Sequence, residues 1–309
     1  MPAKIFIDGE SGTTGLGIHA RLDSLPGVEL LSLPPKQRKD PGAKRALMER
    51  ADIVVLCLPD NAARESVAIA LTMGEKSPRI LDASTAHRMA KGWTYGFPEL
   101  EPGQAEVIKN ARFVANPGCY ATGAIALLRP LVDKGLLPAD FPVSIHAVSG
   151  YSGGGKAMIA DYERGAAPAF EAYALDLEHK HVPEIERYGR LARRPIFAPS
   201  VGNFAQGMLV CVPLFLDDLP LKPKGADLEA ALAAHYAGSA LVKLKPAEAF
   251  GTSEPRSLNG TNDLELRVFA NDSKGQAILV AKLDNLGKGA SGAALQNLRL
   301  MLHHDETRA

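Results

Sequence analysis

Between residues 4 and 116, short apolar runs alternate with stretches whose apolar positions recur every three to four residues. KIFID at residues 4–8 leads into a helical pattern over 14–25. VELLSL follows from Val28, IVVLCLP from Ile53, a helical stretch over 61–73, RILDAS from Arg79 and RFVAN from Arg112. Strands that are apolar at successive positions are buried on both faces, and strands separated by helix-length segments pair in parallel. This part of the chain reads as a Rossmann-like half.

Beyond Ala124 the pattern changes to longer, more alternating strands: FPVSIHAVSG at 141–150, MLVCVPLFL at 208–216, DLELRVFA at 263–270 and QAILVAKLDN at 276–285. The last two flank a turn-rich stretch, residues 271–275, suited to a hairpin. A final helical pattern over about residues 290–304 carries Leu295, Leu298, Met301 and Leu302. It is expected to return to the first half, whose sheet needs helices on both faces. The expected fold class is α/β: a discontinuous Rossmann-like domain over 1–115 and 288–309, and an α+β catalytic and oligomerisation domain over 116–287 with a mostly antiparallel, mixed sheet.

Charge narrows the partners. The 309 residues carry 35 Lys and Arg against 35 Asp and Glu, and a neutral chain lacks the basic surplus that nucleic acid or an anionic membrane demands. Small molecules are the expected partners. The N-terminus has no basic, apolar and small-residue leader and no segment reaches about 18 apolar residues, so a cytoplasmic location is expected. Cys57, Cys119 and Cys211 are too few and too scattered for a disulfide framework or a four-cysteine zinc site.

The first chemical motif is Gly9-Glu10-Ser11-Gly12-Thr13-Thr14-Gly15, where a strand gives way to a helix. Glycines allow a tight turn and close approach of a pyrophosphate, whose charge the helix N-terminus stabilises. A plain turn is the alternative. After the second strand come Ser32, Lys36, Arg38 and Lys39. An acidic residue there would hold the ribose 2′-hydroxyl of NAD, whereas a hydroxyl and cations favour the 2′-phosphate of NADP; the competing reading is a solvated basic loop.

The strongest motif is Asn116-Pro117-Gly118-Cys119-Tyr120-Ala121-Thr122, running into an apolar helical stretch. A cysteine at a helix N-terminus feels the positive end of the dipole, which favours the thiolate and makes Cys119 a candidate nucleophile. Cys57 and Cys211 lie inside apolar strands, where a small buried hydrophobe is expected. A thiolate beside a nicotinamide implies aldehyde or acyl chemistry with a proton shuttle. His179-Lys180-His181-Val182-Pro183-Glu184 supplies the candidate base. The pair could also be structural, and although His-x-His has metal-ligand spacing, no third ligand stands at a convincing distance along the chain, so no metal is expected.

Two further segments suit anions. Val148-Ser149-Gly150-Tyr151-Ser152-Gly153-Gly154-Gly155-Lys156 could present backbone amides and Lys156 to a charged substrate, or be a turn before a helix. Arg88, closing DASTAHR after the strand at 79–82, could pair with phosphate or carboxylate, or form an ordinary ion pair.

Together these motifs, with YGFPEL from Tyr95 and NLGKGASG from Asn285, resemble the N-acetyl-gamma-glutamyl-phosphate reductase family in its shorter form. NPGCY, SGxSGxG and HxHxPE occur in that order, and the likeness spans nearly the whole chain. The wider aspartate-semialdehyde dehydrogenase superfamily is similar in the Gly-rich turn, the Ser-rich segment ending in Arg and the terminal loop. The resemblance implies an NADP-dependent acyl-phosphate reductase of arginine biosynthesis. It would convert N-acetyl-glutamyl 5-phosphate to the 5-semialdehyde through a Cys119 thioester, as a homodimer or homotetramer. It further implies that His181 is the acid/base and that His179 helps hold the substrate carboxylate, while Asn116, Ser149, Gly150, Lys156 and Arg88 are the other candidate substrate-binding residues. The 9–15 turn would hold the pyrophosphate, and the Asn285 loop would lie near the nicotinamide. The alternatives are an aspartate-semialdehyde dehydrogenase, against which HKHVPE and YGFPEL argue, and a non-catalytic NADP-binding redox sensor.

Overall fold

Strand β1 (Ala3–Asp8) shows how the first sheet comes to be covered on both sides: Ile5 and Ile7 enter one apolar cluster and Phe6 the other. The computed structural model describes residues 2–23, 25–248 and 251–303, and these form two units. Among these described residues, the first unit comprises those within 2–98, 103–117 and 290–303, and the second those within 99–102, 118–248 and 251–289.

In the first unit, β1 is joined by β2 (Val28–Leu31), β3 (Ile53–Leu56), β4 (Arg79–Asp82), β5 (Thr94–Tyr95) and β6 (Phe113–Ala115) in the order β2-β1-β3-β4-β6-β5. Every pairing is parallel. On one face Ile5, Ile7, Ile53, Val55, Leu81 and Val114 pack with α1 (Thr13–Leu22), α4 (Gln104–Asn110) and α9 (Gly292–Met301). On the other, Phe6, Val54, Leu56 and Ile80 pack with α2 (Pro41–Met48) and α3 (Asp60–Leu71). The C-terminal helix thus supplies part of one layer. It is fastened by Arg79, whose guanidinium donates to the carbonyls of Lys109, Ala111 and Met301, satisfying carbonyls at the ends of α4 and α9.

Some boundaries differ from the sequence pattern. Helix α1 stops at Leu22 and α3 at Leu71, both short of the expected ends. Helix α9 begins at Gly292, behind a wide turn over Gly287–Ser291, and the last position of its pattern, residue 304, lies outside the described residues. Helix α2 was unexpected, although Asp40 caps it by accepting from the amides of Gly42 (2.7 Å) and Ala43 (3.1 Å), with Pro41 in the first turn.

In the second unit seven strands lie in the order β11-β12-β13-β10-β7-β9-β8. These are β7 (Ser144–Gly150), β8 (Phe170–Ala172), β9 (Ile196–Gly202), β10 (Met208–Phe215), β11 (Val242–Leu244), β12 (Leu264–Asn271) and β13 (Gln276–Leu283). The sheet is mixed: β12 and β13 form the expected hairpin with Gly275 in left-handed geometry, while β7 runs parallel to β9 and β11 to β12. Helix α5 (Cys119–Asp133) is buried over most of its length and lies against β10 and β13, flanked by α7 (Val182–Tyr188) and α8 (Gly225–His235). Gly123 permits this approach, since a Cβ there would stand 2.8 Å from Val210 Cγ2. Helix α6 (Gly155–Glu163) follows the glycine-rich segment. Among the described residues no helix is long and apolar enough to cross a membrane.

Candidate active site

The turn after β1 is built so that only glycine fits at its ends. Gly9 has φ +94°, and a Cβ on it would stand 2.3 Å from the Cys57 carbonyl oxygen; one on Gly15 would stand 2.4 Å from the Gly9 oxygen. The Gly12 amide closes the turn on the Gly9 carbonyl at 3.0 Å. Gly12 is the N-cap of α1, and among the described residues no side chain caps the helix and no acidic residue stands in its first turn. Such amides, together with the positive end of the helix dipole, suit a pyrophosphate. Ser11, Thr13 and Thr14 belong to the same turn, so the arrangement fits a dinucleotide.

Ser32 and Arg38 are brought to this turn by a residue that the sequence reading assigned no role. The Glu10 carboxylate accepts from Ser32 Oγ at 2.8 Å and from Arg38 Nη2 at 2.6 Å, and Arg38 Nε is steadied by the Leu33 carbonyl at 3.4 Å. Lys36 lies exposed on the short turn Pro35–Gln37. Deeper in the unit, Asp8 is held by Ser66 Oγ (2.6 Å) and Lys44 Nζ (2.8 Å). Burial, reinforced by the charges of Asp82 and Asp8, pushes the Cys57 thiol up to about 12, which keeps it protonated and unreactive.

Arg88 and Asn116 meet in the first unit. Both are buried, and Arg88 Nε donates to the Asn116 carbonyl at 2.9 Å. The Asn116 side chain donates to the Ala290 carbonyl (3.1 Å) and accepts from Asn297 Nδ2 (3.0 Å). Its amide group therefore braces the junction between β6 and the chain leading into α9. The DASTAHR turn is fixed beside it: Asp82 accepts from Ser84 Oγ at 2.8 Å and pairs with His87 Nδ1 at 2.5 Å, and the His87 ring stacks on Trp93.

In the second unit, Cys119 is the first residue of α5, after a Gly118 N-cap that no side chain caps among the described residues. The Gly118 amide donates to Glu184 Oε2 at 3.1 Å, while Glu184 Oε1 stands 4.0 Å from His181 Nε2. One buried carboxylate thus touches the backbone just before Cys119 and faces His181. Pro183 in the first turn of α7 places Glu184 three residues beyond His181. The His181 amide donates to His179 Nδ1 at 3.1 Å, which fixes the proton of neutral His179 on Nε2. The two rings lie 4.7 Å apart, with Tyr120, Tyr173 and Phe197 packed around His179.

Two tyrosine hydroxyls close this cluster. Tyr120 donates to the Ser200 carbonyl at 3.0 Å and accepts from Tyr173 at 3.3 Å. Burial, and then the neighbouring Tyr173 and Cys119, raise the Tyr120 hydroxyl far above its ordinary range. Burial pushes Tyr173 up to about 12. Both remain protonated donors at neutral pH. Beside Cys119, a Cβ on Gly289 would stand 2.8 Å from its Cβ.

The glycine-rich segment before α6 is a structured platform rather than a loose turn. Its Gly150 amide donates to the Gly207 carbonyl at 2.9 Å, and a Cβ on Gly150 would meet the Ala205 oxygen at 2.5 Å. Ser149 is buried, with its hydroxyl on the Gly150 carbonyl at 3.0 Å, while Lys156 is exposed on α6. Asn285 stands in this second unit, buried, accepting from the Gly207 amide and donating to Ser152 Oγ, each at 2.9 Å. It ties the segment to the end of β13. Cys211 on β10 is raised by burial.

The structure therefore gathers Cys119, His179, His181 and Ser149 in one unit and Ser32, Arg38 and the glycine turn in the other. Glu10 and Tyr173 were missed, and nothing local in the sequence marks either. Glu184 was visible as the last residue of HKHVPE, although its bond to Gly118 was not. Among the described residues no three His, Cys, Asp or Glu side chains are grouped to hold a metal ion.

A family model described as the semialdehyde dehydrogenase dimerisation domain matches residues 119–285, and one described as the semialdehyde dehydrogenase NAD binding domain matches residues 35–111. An N-acetyl-gamma-glutamyl-phosphate reductase of Chelativorans sp. (strain BNC1) is 56% identical, covering 98% of this chain and 99% of that protein. One from Brucella ovis is 53% identical with the same coverage. Among solved structures, an aspartate semialdehyde dehydrogenase from Francisella tularensis shares the fold with TM-score 0.71 at 13% identity, over 97% of this chain and 100% of that one. Another, from Candida albicans and solved with NADP, gives TM-score 0.67 at 15% identity, over 98% and 99% of the two chains. The sequence likeness extends over both units and the fold agrees with it: the chain belongs to the N-acetyl-gamma-glutamyl-phosphate reductase family, within the semialdehyde dehydrogenases.

Proposed function

We propose that this chain is an NADP-dependent acyl-phosphate reductase that converts N-acetyl-glutamyl 5-phosphate to N-acetyl-glutamate 5-semialdehyde and phosphate, the reduction step of arginine biosynthesis. The observation that carries this reading is the start of α5, where Cys119 opens the helix, the Gly118 amide before it donates to the buried Glu184 carboxylate, and that carboxylate faces His181, whose ring lies beside that of His179.

The helix dipole favours the Cys119 thiolate, which attacks the acyl carbonyl and expels phosphate to leave a thioester. NADPH, when bound, supplies the hydride that reduces this thioester. The glycine turn, Ser32 and Arg38 would hold that nucleotide, with Asn285 bracing the loop assigned to its nicotinamide end. His181 donates a proton to the oxygen that gains charge and takes it back as the carbon–sulfur bond breaks, releasing aldehyde and thiolate. His179 suits this shuttle less, because its Nδ1 lone pair is engaged by the His181 amide and a second proton there would break that bond. Its Nε2 proton suits a substrate carboxylate instead. Arg88, Lys156, Asn116 and the Ser149–Gly150 platform are the remaining groups assigned to substrate.

The reading extends to assembly and location. Pro213, Phe215, Phe269 and Ile278 lie side by side on the sheet face turned away from α5, and Phe215 and Ile278 are 60% and 46% exposed. A second copy of this chain covering that face would make a homodimer, and pairing of dimers a homotetramer. The free thiols suit the reducing cytoplasm.

The deciding assay is phosphate-dependent reduction of NADP by N-acetyl-glutamate 5-semialdehyde, run beside aspartate 4-semialdehyde. Turnover on the acetylated substrate supports the reading. A preference for the aspartate compound would make the chain an aspartate-semialdehyde dehydrogenase, and nucleotide binding with turnover of neither would leave a sensor.

A further inference from the structure

We infer that Glu10 narrows this chain's preference for NADPH over NADH, by competing with the 2′-phosphate for Ser32 and Arg38. The inference rests on the reading of the first unit as an NADP-binding one.

The residues that would hold a 2′-phosphate are Ser32, just after β2, and Arg38, just after the short turn Pro35–Gln37, and both already hold an anion. Glu10 Oε2 accepts from Ser32 Oγ at 2.8 Å, and Oε1 accepts from Arg38 Nη2 at 2.6 Å. A carboxylate engaged by a guanidinium and a hydroxyl makes charge-assisted bonds of the kind a phosphate would make. Glu10 cannot easily retreat with its backbone. Gly9 turns the chain at φ +94°, and a Cβ on Gly15 would stand 2.8 Å from Glu10 Cα, so the two segments are already in close contact. The Glu10 side chain is only 13% exposed, against 38% for Arg38.

The two nucleotides meet this arrangement differently. A 2′-phosphate must take Arg38 and Ser32 from Glu10 and then leave the carboxylate beside its own negative charge. A 2′-hydroxyl carries a proton and can donate to the carboxylate as it stands, in the manner of the acidic residue that usually ends the second strand of an NAD site. Glu10 reaches the same place from the first turn. It therefore lowers affinity for NADPH by the fraction of time it occupies the donors, and it supports NADH.

The test is direct titration calorimetry, without substrate, of wild type, Glu10→Gln, Glu10→Ala and Arg38→Ala with 2′,5′-ADP, 5′-AMP, NADPH and NADH. Thermal melting confirms that each variant is folded. In Glu10→Gln the Kd for 2′,5′-ADP and NADPH should fall about tenfold, because the competing charge is gone. The Kd for NADH should rise, and Glu10→Ala should change both in the same directions. Arg38→Ala should weaken 2′,5′-ADP and spare 5′-AMP. Unchanged or weaker 2′,5′-ADP binding in both folded Glu10 variants would overturn the inference while leaving the enzyme reading intact. Failure of the wild type to bind any of the four nucleotides would overturn both.

Discussion

Helices α1 and α5 start in nearly the same way. Each has a glycine N-cap in extended geometry, Gly12 at φ −75° and ψ 165° and Gly118 at φ −76° and ψ 147°, with no side chain capping the first turn among the described residues. What separates them is the partner of the cap and the surroundings. The Gly12 amide turns back on the Gly9 carbonyl, at a partly exposed turn. The Gly118 amide is taken by the buried Glu184 carboxylate, and α5 runs into the interior with Cys119 as its first residue. In the proposed function the same backbone device receives an external anion in one unit and stabilises a protein-borne thiolate in the other. The difference lies in whether the charge arrives from solvent or is generated inside.

The sharpest way to break that contrast is to remove the charge generated at α5. Cys119→Ser keeps the helix start but replaces a thiol with a far weaker acid, and turnover in the phosphate-dependent assay should fall on the order of 10³-fold or more. Next, Gly289→Ala places a methyl group 2.8 Å from Cys119 Cβ. Displacing a nucleophile by a fraction of an ångström should cost roughly 10²-fold in kcat. Glu184→Gln keeps an acceptor for the Gly118 amide and removes the charge facing His181. We expect about a tenfold loss of kcat and a shifted pH profile, with little change in melting temperature. The smallest effect concerns Cys57. Because its thiol is pushed up to about 12, below that pH it remains protonated. Iodoacetamide at pH 8 should therefore label Cys119 and spare Cys57, as read by peptide mass spectrometry.

Much of the architecture was legible because it is written in local periodicity. Unbroken apolar runs such as IVVLCLP mark strands buried on both faces; β3, β4 and β6 fall within the expected segments, and β1 starts one residue before its own. The hairpin of β12 and β13 follows from two alternating strands around a turn ending at Gly275. Elements set by tertiary pairing were not legible. Strands β5 and β8 have two and three residues, too short for any period, and β9 shows its direction only in its register with β7. The site divides along the same line. Cys119 and the histidine pair stand in compact motifs whose chemistry is local. The Glu10–Arg38 pair spans 28 residues and Gly118–Glu184 spans 66, and neither the pairing nor the hydroxyl contact of Tyr173 leaves a mark in spacing.

The central claim is that the thiolate at the start of α5 forms a covalent acyl intermediate. It is tested most directly by mixing the protein with N-acetyl-glutamyl 5-phosphate in the absence of NADPH, quenching in acid, and measuring intact and peptide masses. The account predicts release of one phosphate and one N-acetyl-glutamyl group on the Cys119 peptide, absent from Cys119→Ser and lost on adding NADPH. Phosphate release without an adduct, or an adduct on any other residue, would contradict it.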